Sequence, residues 1–335
     1  MRLAPEERAR LASPKPVNAD AYEAYLRGRL YLERQDWGQN QKAIAMFQRA
    51  IQLQPSFALA WAGLADAHYA VSNQWVPPRD AMPKVREAGR KALELDRNLS
   101  EAHAVMGAVA SQFDWDWEGA DREYREAIRL NASNANAHLY YAFMLAGTGR
   151  MDQAIAEAKR ARELNPLSAS TAGYEPMFYY LAGEYDSALV LTRKLLQADP
   201  DFVGLRSMLV SCYAGQGKYS EAIEEAQKMI SLSGGSFGHG ALAIAYAYAG
   251  RRREAVVELD LSWRADSLRG TYSWPTEAAG IYARLGDKDR AFKWLNKAYE
   301  DRSEALVWIN LYPELSGLRS DPRFHDLLRR IGLGP

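Results

Sequence analysis

ANAHLYYAFMLAGTGRMDQAIAEAKRARELNPLS, residues 135–168, decides the fold. Tyr141, Ala142 and Leu145 lie on one helical stripe, and Gly149 breaks the pattern. Ala154, Ala158 and Ala161 mark a second stripe, which Pro166 closes. Two short amphipathic helices joined by a tight turn give this spacing. Moving 34 residues on from Ala154 reaches Ala188 in YLAGEYDSAL, and another 34 reaches Ala222 in YAGQGKYSEAI. A fixed period of this length marks a repeat array, whose units bury their apolar faces against one another.

Outward from that unit the period extends over most of the chain. Eight units are expected, over residues 21–57, 58–99, 100–134, 135–168, 169–201, 202–235, 236–271 and 272–302. Residues 1–20, with the charged stretch PEERARLA, form a linker or weak cap, and 303–335 a C-terminal cap. In that cap Asp321 and Pro322 open a last helix over the end of the eighth unit. The turn glycines Gly149, Gly183, Gly217, Gly250 and Gly286 are expected to end the first helices in the left-handed conformation. Glu175 and Pro176 should bend or delay the first helix of unit five. Two inter-helix segments are longer than the period asks, ERQDWGQNQ in unit one by about three residues and VSNQWVPPRDAMPK in unit two by about eight, and the turn of unit three is FDWDW at 113–117. The expected fold is all-α, a right-handed superhelical solenoid with the first helices lining its concave side.

Of the 335 residues 48% are hydrophobic and 25% charged, and the formal net charge is zero. Neutrality gives no general attraction to nucleic acid or acidic lipid. The lone Cys212 forms no internal disulfide and reads as a buried thiol. No apolar run is long enough to span a membrane, and the start lacks the apolar core of a signal peptide, so a cytoplasmic location is expected.

The signature resembles the tetratricopeptide repeat, with Trp61, Leu64 and Ala65 in unit two and Ala43, Phe47, Ala50 and Pro55 in unit one. Several phrases also resemble one bacterial group: Ala21–Arg29, Pro78–Pro83, Phe113–Trp117, Ala283–Lys288 and Leu318–Phe324. In that group the array is the C-terminal half of winged-helix transcriptional regulators, serine/threonine kinases or adenylate cyclases. The resemblance therefore implies a covalently linked output domain in a longer parent protein, with this region carrying no output activity.

Chemistry is sparse. His103, His138 and His239 occupy the position of Trp61, one per unit, so they cannot converge on a metal ion; packing is the expected role. Asp114 and Asp116 alternate with Trp115 and Trp117, which reads as solvated acids with tryptophans tucked into a repeat junction. Neither a phosphate-binding glycine loop nor a wide basic face is present. Catalytic residues, cofactor and metal are therefore expected to be none, and this region is not expected to contact nucleic acid or membrane. What remains is the concave groove, for which the phasing nominates Tyr22, Tyr25, Arg29, Asp66, Tyr69, Asn136, Phe143, Met177 and Tyr180. Such a surface suits a protein or peptide partner or a neighbouring domain. The alternatives are a small-molecule sensor with an aromatic pocket around Tyr69, Trp75, Phe143 and Tyr180, or a purely structural or oligomerisation module.

Overall fold

In the computed structural model, which describes residues 17–33, 37–72, 74–166, 173–200, 202–272 and 274–334, helix follows helix in pairs. The first four pairs are α1 (Ala19–Leu32) with α2 (Trp37–Leu53), α3 (Ala58–Val71) with α4 (Pro78–Leu95), α5 (Ser100–Ala108) with α6 (Trp117–Leu130), and α7 (Ala135–Gly147) with α8 (Met151–Leu164). The next four are α9 (Tyr174–Leu181) with α10 (Tyr185–Ala198), α11 (Val203–Gly215) with α12 (Tyr219–Leu232), α13 (His239–Tyr248) with α14 (Arg252–Arg269), and α15 (Pro275–Arg284) with α16 (Lys288–Glu300). Two 3₁₀ turns, Glu304–Trp308 and Pro313–Leu318, lead to α17 (Pro322–Arg330). The arrangement is an all-α superhelical solenoid.

Each pair is punctuated locally. Asn134 caps α7 by accepting from the Ala137 amide at 3.2 Å, and Asp321 caps α17 by accepting from the Arg323 amide. At the end of α7, Gly149 stands at φ +82° while the Arg150 amide donates to the Leu145 carbonyl at 2.8 Å. Only a residue without a Cβ adopts that conformation cheaply, and the turn recurs at the four other expected glycines. In unit five the helix starts late, at Tyr174, so that Pro176 falls within its first turn, where its missing N–H costs nothing. Residues 167–172, where that unit was expected to begin, and the PEERARLA stretch lie outside the described residues.

Small residues set the helix spacing. A Cβ added to Gly28 would sit 2.7 Å from the Phe47 ring, and one added to Gly107 2.7 Å from the Tyr124 ring. Phe47 and Tyr124 are fully buried in one core cluster that runs through the first units. Cys212 is buried too, and desolvation pushes its thiol up to about 12.

The histidines lock the units together. Trp61 Nε1 donates to the Pro55 carbonyl at 3.0 Å, and Arg206 Nη2 to the Pro200 carbonyl at 2.6 Å. His103 Nε2 meets the Arg97 carbonyl at 2.9 Å, and His138 Nε2 the Ala132 carbonyl at 3.1 Å. One position thus repeatedly ties the loop six residues behind it. The second group of each side chain holds the second helix: His103 to Glu123, His138 to Glu157, His239 to Glu258 and Arg206 to Glu225.

The superhelix turns far enough to meet itself. The Tyr272 amide donates to the Gln74 carbonyl at 2.9 Å, joining the long turn of unit two to unit eight. Asp301, fully buried, accepts from Tyr272 Oη at 2.7 Å, from Lys297 Nζ at 2.5 Å and from Arg79 Nη1 at 3.0 Å. The FDWDW turn supplies the next contacts. Arg302 donates to the Phe113 carbonyl at 3.1 Å and lies 4.0 Å over the Trp115 ring, while Trp117 Nε1 donates to the Ile331 carbonyl at 3.0 Å. Trp115 and Arg302 are the non-glycine residues with positive φ, at 59° and 57°, among those described. Strain of that kind persists only where surrounding contacts hold it. Asp116 caps α6, and Asp114 accepts from Arg86. The tryptophans are therefore structural, and the junction they fill is one between distant ends of the array.

Candidate functional site

First helices α7, α9 and α15 face an inner channel, and the chain's own C-terminal segment lies along it. The Trp308 ring packs edge-on against Phe143, centroids 5.2 Å apart, and its Nε1 donates to the Phe143 carbonyl at 2.9 Å. Phe143 also meets Tyr174 and Phe178 at 4.7 and 5.9 Å. Beside them Val307 rests on Gly147, where an added Cβ would stand 2.7 Å from the Val307 carbonyl oxygen. Further along, Glu314 lies on Gly280 and accepts from the Tyr180 hydroxyl.

Four nominated residues are consequently not open groove positions. Phe143 and Tyr180 are buried because the C-terminal segment covers them. Tyr25 is buried among Phe47 and Phe57, with ring centroids 5.9 and 5.5 Å away. Asp66 is 6% exposed. Tyr22, Arg29, Tyr69, Asn136 and Met177 are half-buried. The aromatic pocket expected around Tyr69, Trp75, Phe143 and Tyr180 is not formed as one: the Tyr69 ring lies tilted against Tyr140 with centroids 4.7 Å apart, and Trp75 meets Trp37 at 5.8 Å.

At the other end of the channel several nominated residues do converge. Arg29 Nη1 reaches the Tyr25 hydroxyl at 3.5 Å, and Arg29 and Glu101 act electrostatically on Asp66, whose carboxylate takes a hydrogen bond from the Asn136 side chain. Tyr69 donates to Gln112 Oε1 at 3.0 Å. Within this cluster Asp66 Oδ1 and Gln112 Nε2 are buried without a hydrogen-bond partner. Desolvation pushes the Asp66 carboxyl up to about 7, against the opposing pull of Arg29. An unpaired buried carboxyl oxygen costs on the order of 1–3 kcal/mol, which a donor brought from outside would recover.

That residues 303–335 form a C-terminal cap was expected, but the course of their first part along the channel was not, because that stretch carries no period. Its partner positions were visible, since Gly147 lies seven residues before Ala154, and the same count gives Leu181, Gly215, Tyr248 and Arg284. Among the described residues no group of three or more His, Cys, Asp or Glu could hold a metal, and no helix is long and apolar enough to cross a membrane.

Comparison with known proteins follows the geometry. Residues 179–231 match one tetratricopeptide repeat profile, and residues 25–71 and 116–169 match another. The transcriptional regulator HilA of Salmonella typhimurium is 24% identical over 199 residues, 57% of this chain and 35% of that protein. The chain thus spans about a third of the length of the curated regulators it matches. Yeast Tom70 shares the fold with a TM-score of 0.55 at 14% identity, covering 95% of this chain and 69% of that one. The Cut9–Hcn1 hetero-tetramer of the APC/C gives 0.54 at 14% identity, covering 87% and 52%.

Proposed function

Since the chain is a tetratricopeptide repeat protein, we propose that it is a non-catalytic interaction module that binds a protein partner or a linked domain on the inner face of its first repeats. The observation carrying this is the buried, unpartnered Asp66 Oδ1, set among half-buried Arg29, Tyr69 and Asn136. A partner's N–H or ammonium group there satisfies Asp66, while Tyr22 and Tyr69 offer ring faces. The channel's middle supports the same reading, because it already holds a peptide-like segment anchored by one tryptophan. The resemblance to part of HilA favours a regulatory module within a longer transcription-regulating or signalling protein.

The test is site-specific photo-crosslinking. A benzophenone amino acid placed at Tyr22, Tyr69 or Asn136 should capture one discrete partner in cells, and Asp66→Asn should weaken the capture. Crosslinks arising only from outer positions such as Val257 would move the interface to the convex side and sink the proposal.

A further inference from the structure

A second cleft lies at the C-terminal end of the array, where the first-helix ends of units five to eight meet the Pro313–Leu318 turn. Its volume is about 390 Å³ and it opens to solvent. Tyr185, Tyr219 and Tyr248 form its aromatic walls with Pro313, and Arg284 and Arg319 enter from two sides. Its lining contains no aspartate or glutamate.

Among the described residues neither guanidinium forms an ion pair. Arg284 lies 4.1 Å over the Tyr248 ring, and Arg319 reaches only the Tyr312 carbonyl, at 3.4 Å. The Tyr248 hydroxyl is buried beside Tyr180 and Glu314, while the residue as a whole is 8% exposed and lines the cleft. The nearest carboxyl, Glu314, already accepts from Tyr180, and burial raises its pKa, which lessens the repulsion an anion would meet. Two planar cations without ion pairs beside the aromatic faces of the cleft match an anionic group carried on a ring or short apolar body.

We propose that this cleft binds a small organic anion, its carboxylate or phosphate held by Arg284 and Arg319 and its apolar part lying among Tyr185, Tyr219 and Pro313. Arg319 and Pro313 belong to the segment whose other end, Trp308, fills the channel, so a bound anion also pins that segment to the array. The site shares no residue with the partner surface around Asp66.

Isothermal titration of the full chain with phenyl phosphate and benzoate, beside inorganic phosphate and neutral benzyl alcohol, tests this. Saturable binding of phenyl phosphate or benzoate is expected, with none for benzyl alcohol. Arg319→Gln should weaken it about tenfold or more, while Arg264→Gln, an exposed arginine paired with Asp260 elsewhere, should not change it. Tyr219→Ala gives a second variant that keeps both cations. No saturable heat from either organic anion overturns the proposal, as does binding indifferent to both Arg319→Gln and Tyr219→Ala. Inorganic phosphate binding as tightly as phenyl phosphate overturns the part assigned to the aromatic walls.

Discussion

Replacing Trp308 by alanine should loosen two regions that lie far apart in sequence. Trp308 is 4% exposed, its ring meets Phe143 at 5.2 Å and its N–H reaches the Phe143 carbonyl at 2.9 Å. Truncating a buried aromatic of this size costs about 3–5 kcal/mol, the lost hydrogen bond forming part of that sum. Against a usual stability of roughly 5–15 kcal/mol, the loss is large. Its distribution is the sharper expectation. In a solenoid each unit couples to its neighbours, so damage near unit eight should stay there. Here the segment holding Trp308 continues back to Asp301 and Arg302, which grip Arg79, Phe113 and Trp115. Hydrogen exchange on the full-length variant should therefore show lost protection at 304–318 and also around the long turn of unit two and the FDWDW turn. Urea unfolding followed by circular dichroism supplies the energy, with Leu268→Ala, 89% exposed, as the control within about 0.5 kcal/mol of wild type. A destabilisation below about 1 kcal/mol would refute the burial argument. Lost protection confined to units seven and eight would refute the closure.

Other outcomes follow from single sites. The Asp66 carboxyl stands raised from 3.8 to about 7 in the folded chain, so folding takes up a proton and this group's stability contribution is lost as pH rises from about 4 to 7. The loss is on the order of 4 kcal/mol, and the wild-type melting curve should fall relative to Asp66→Asn over that window; parallel curves would contradict it. His103 is raised by its hydrogen bond to Glu123, so its contribution is complete below about 6.5 and is lost as pH climbs through the folded value. The melting temperature lost in His103→Gln should accordingly be larger at pH 6 than at pH 8.5. Gly107→Ala should cost about 1–3 kcal/mol in urea by driving a methyl into Tyr124. Gly317→Ala, whose methyl would meet open space, should be close to neutral.

The parts of the molecule legible in its sequence are those whose causes are local. A 34-residue period, a turn glycine and a capping Asn134 each act within a few residues, and the helix pairs follow from them. Counting also put Tyr22, Arg29, Asp66, Asn136 and Phe143 on first helices facing inward. It could not say what stands opposite them, because Trp308 and Phe143 are 165 residues apart and Trp117 and Ile331 are 214 apart. Neither tail residue belongs to a repeat, so no phase marks it. The trace that was visible is excess length: the long turn of unit two departs from the period by about eight residues, and it proved to be one place where the superhelix meets its own end. Arg284 was readable by the same count that gives Gly147, but its meaning depends on Arg319, which lies outside the array.

The filled channel also decides which partner surface is accessible in practice. A segment on the same chain faces its site at an effective concentration in the millimolar range. A free peptide at micromolar concentration making the same contacts is outcompeted about a thousandfold, equivalent to roughly 4 kcal/mol. It displaces Trp308 only by bringing that much additional binding energy. Among the described residues Asp66 Oδ1 has no hydrogen-bond partner, and the flanking side chains are half-buried. A partner donating to it gains a hydrogen bond without displacing the Trp308 ring from Phe143. Occupation of the middle thus directs recognition to the first repeats, and a partner that bound equally well with and without the Trp308 anchor would be engaging that end.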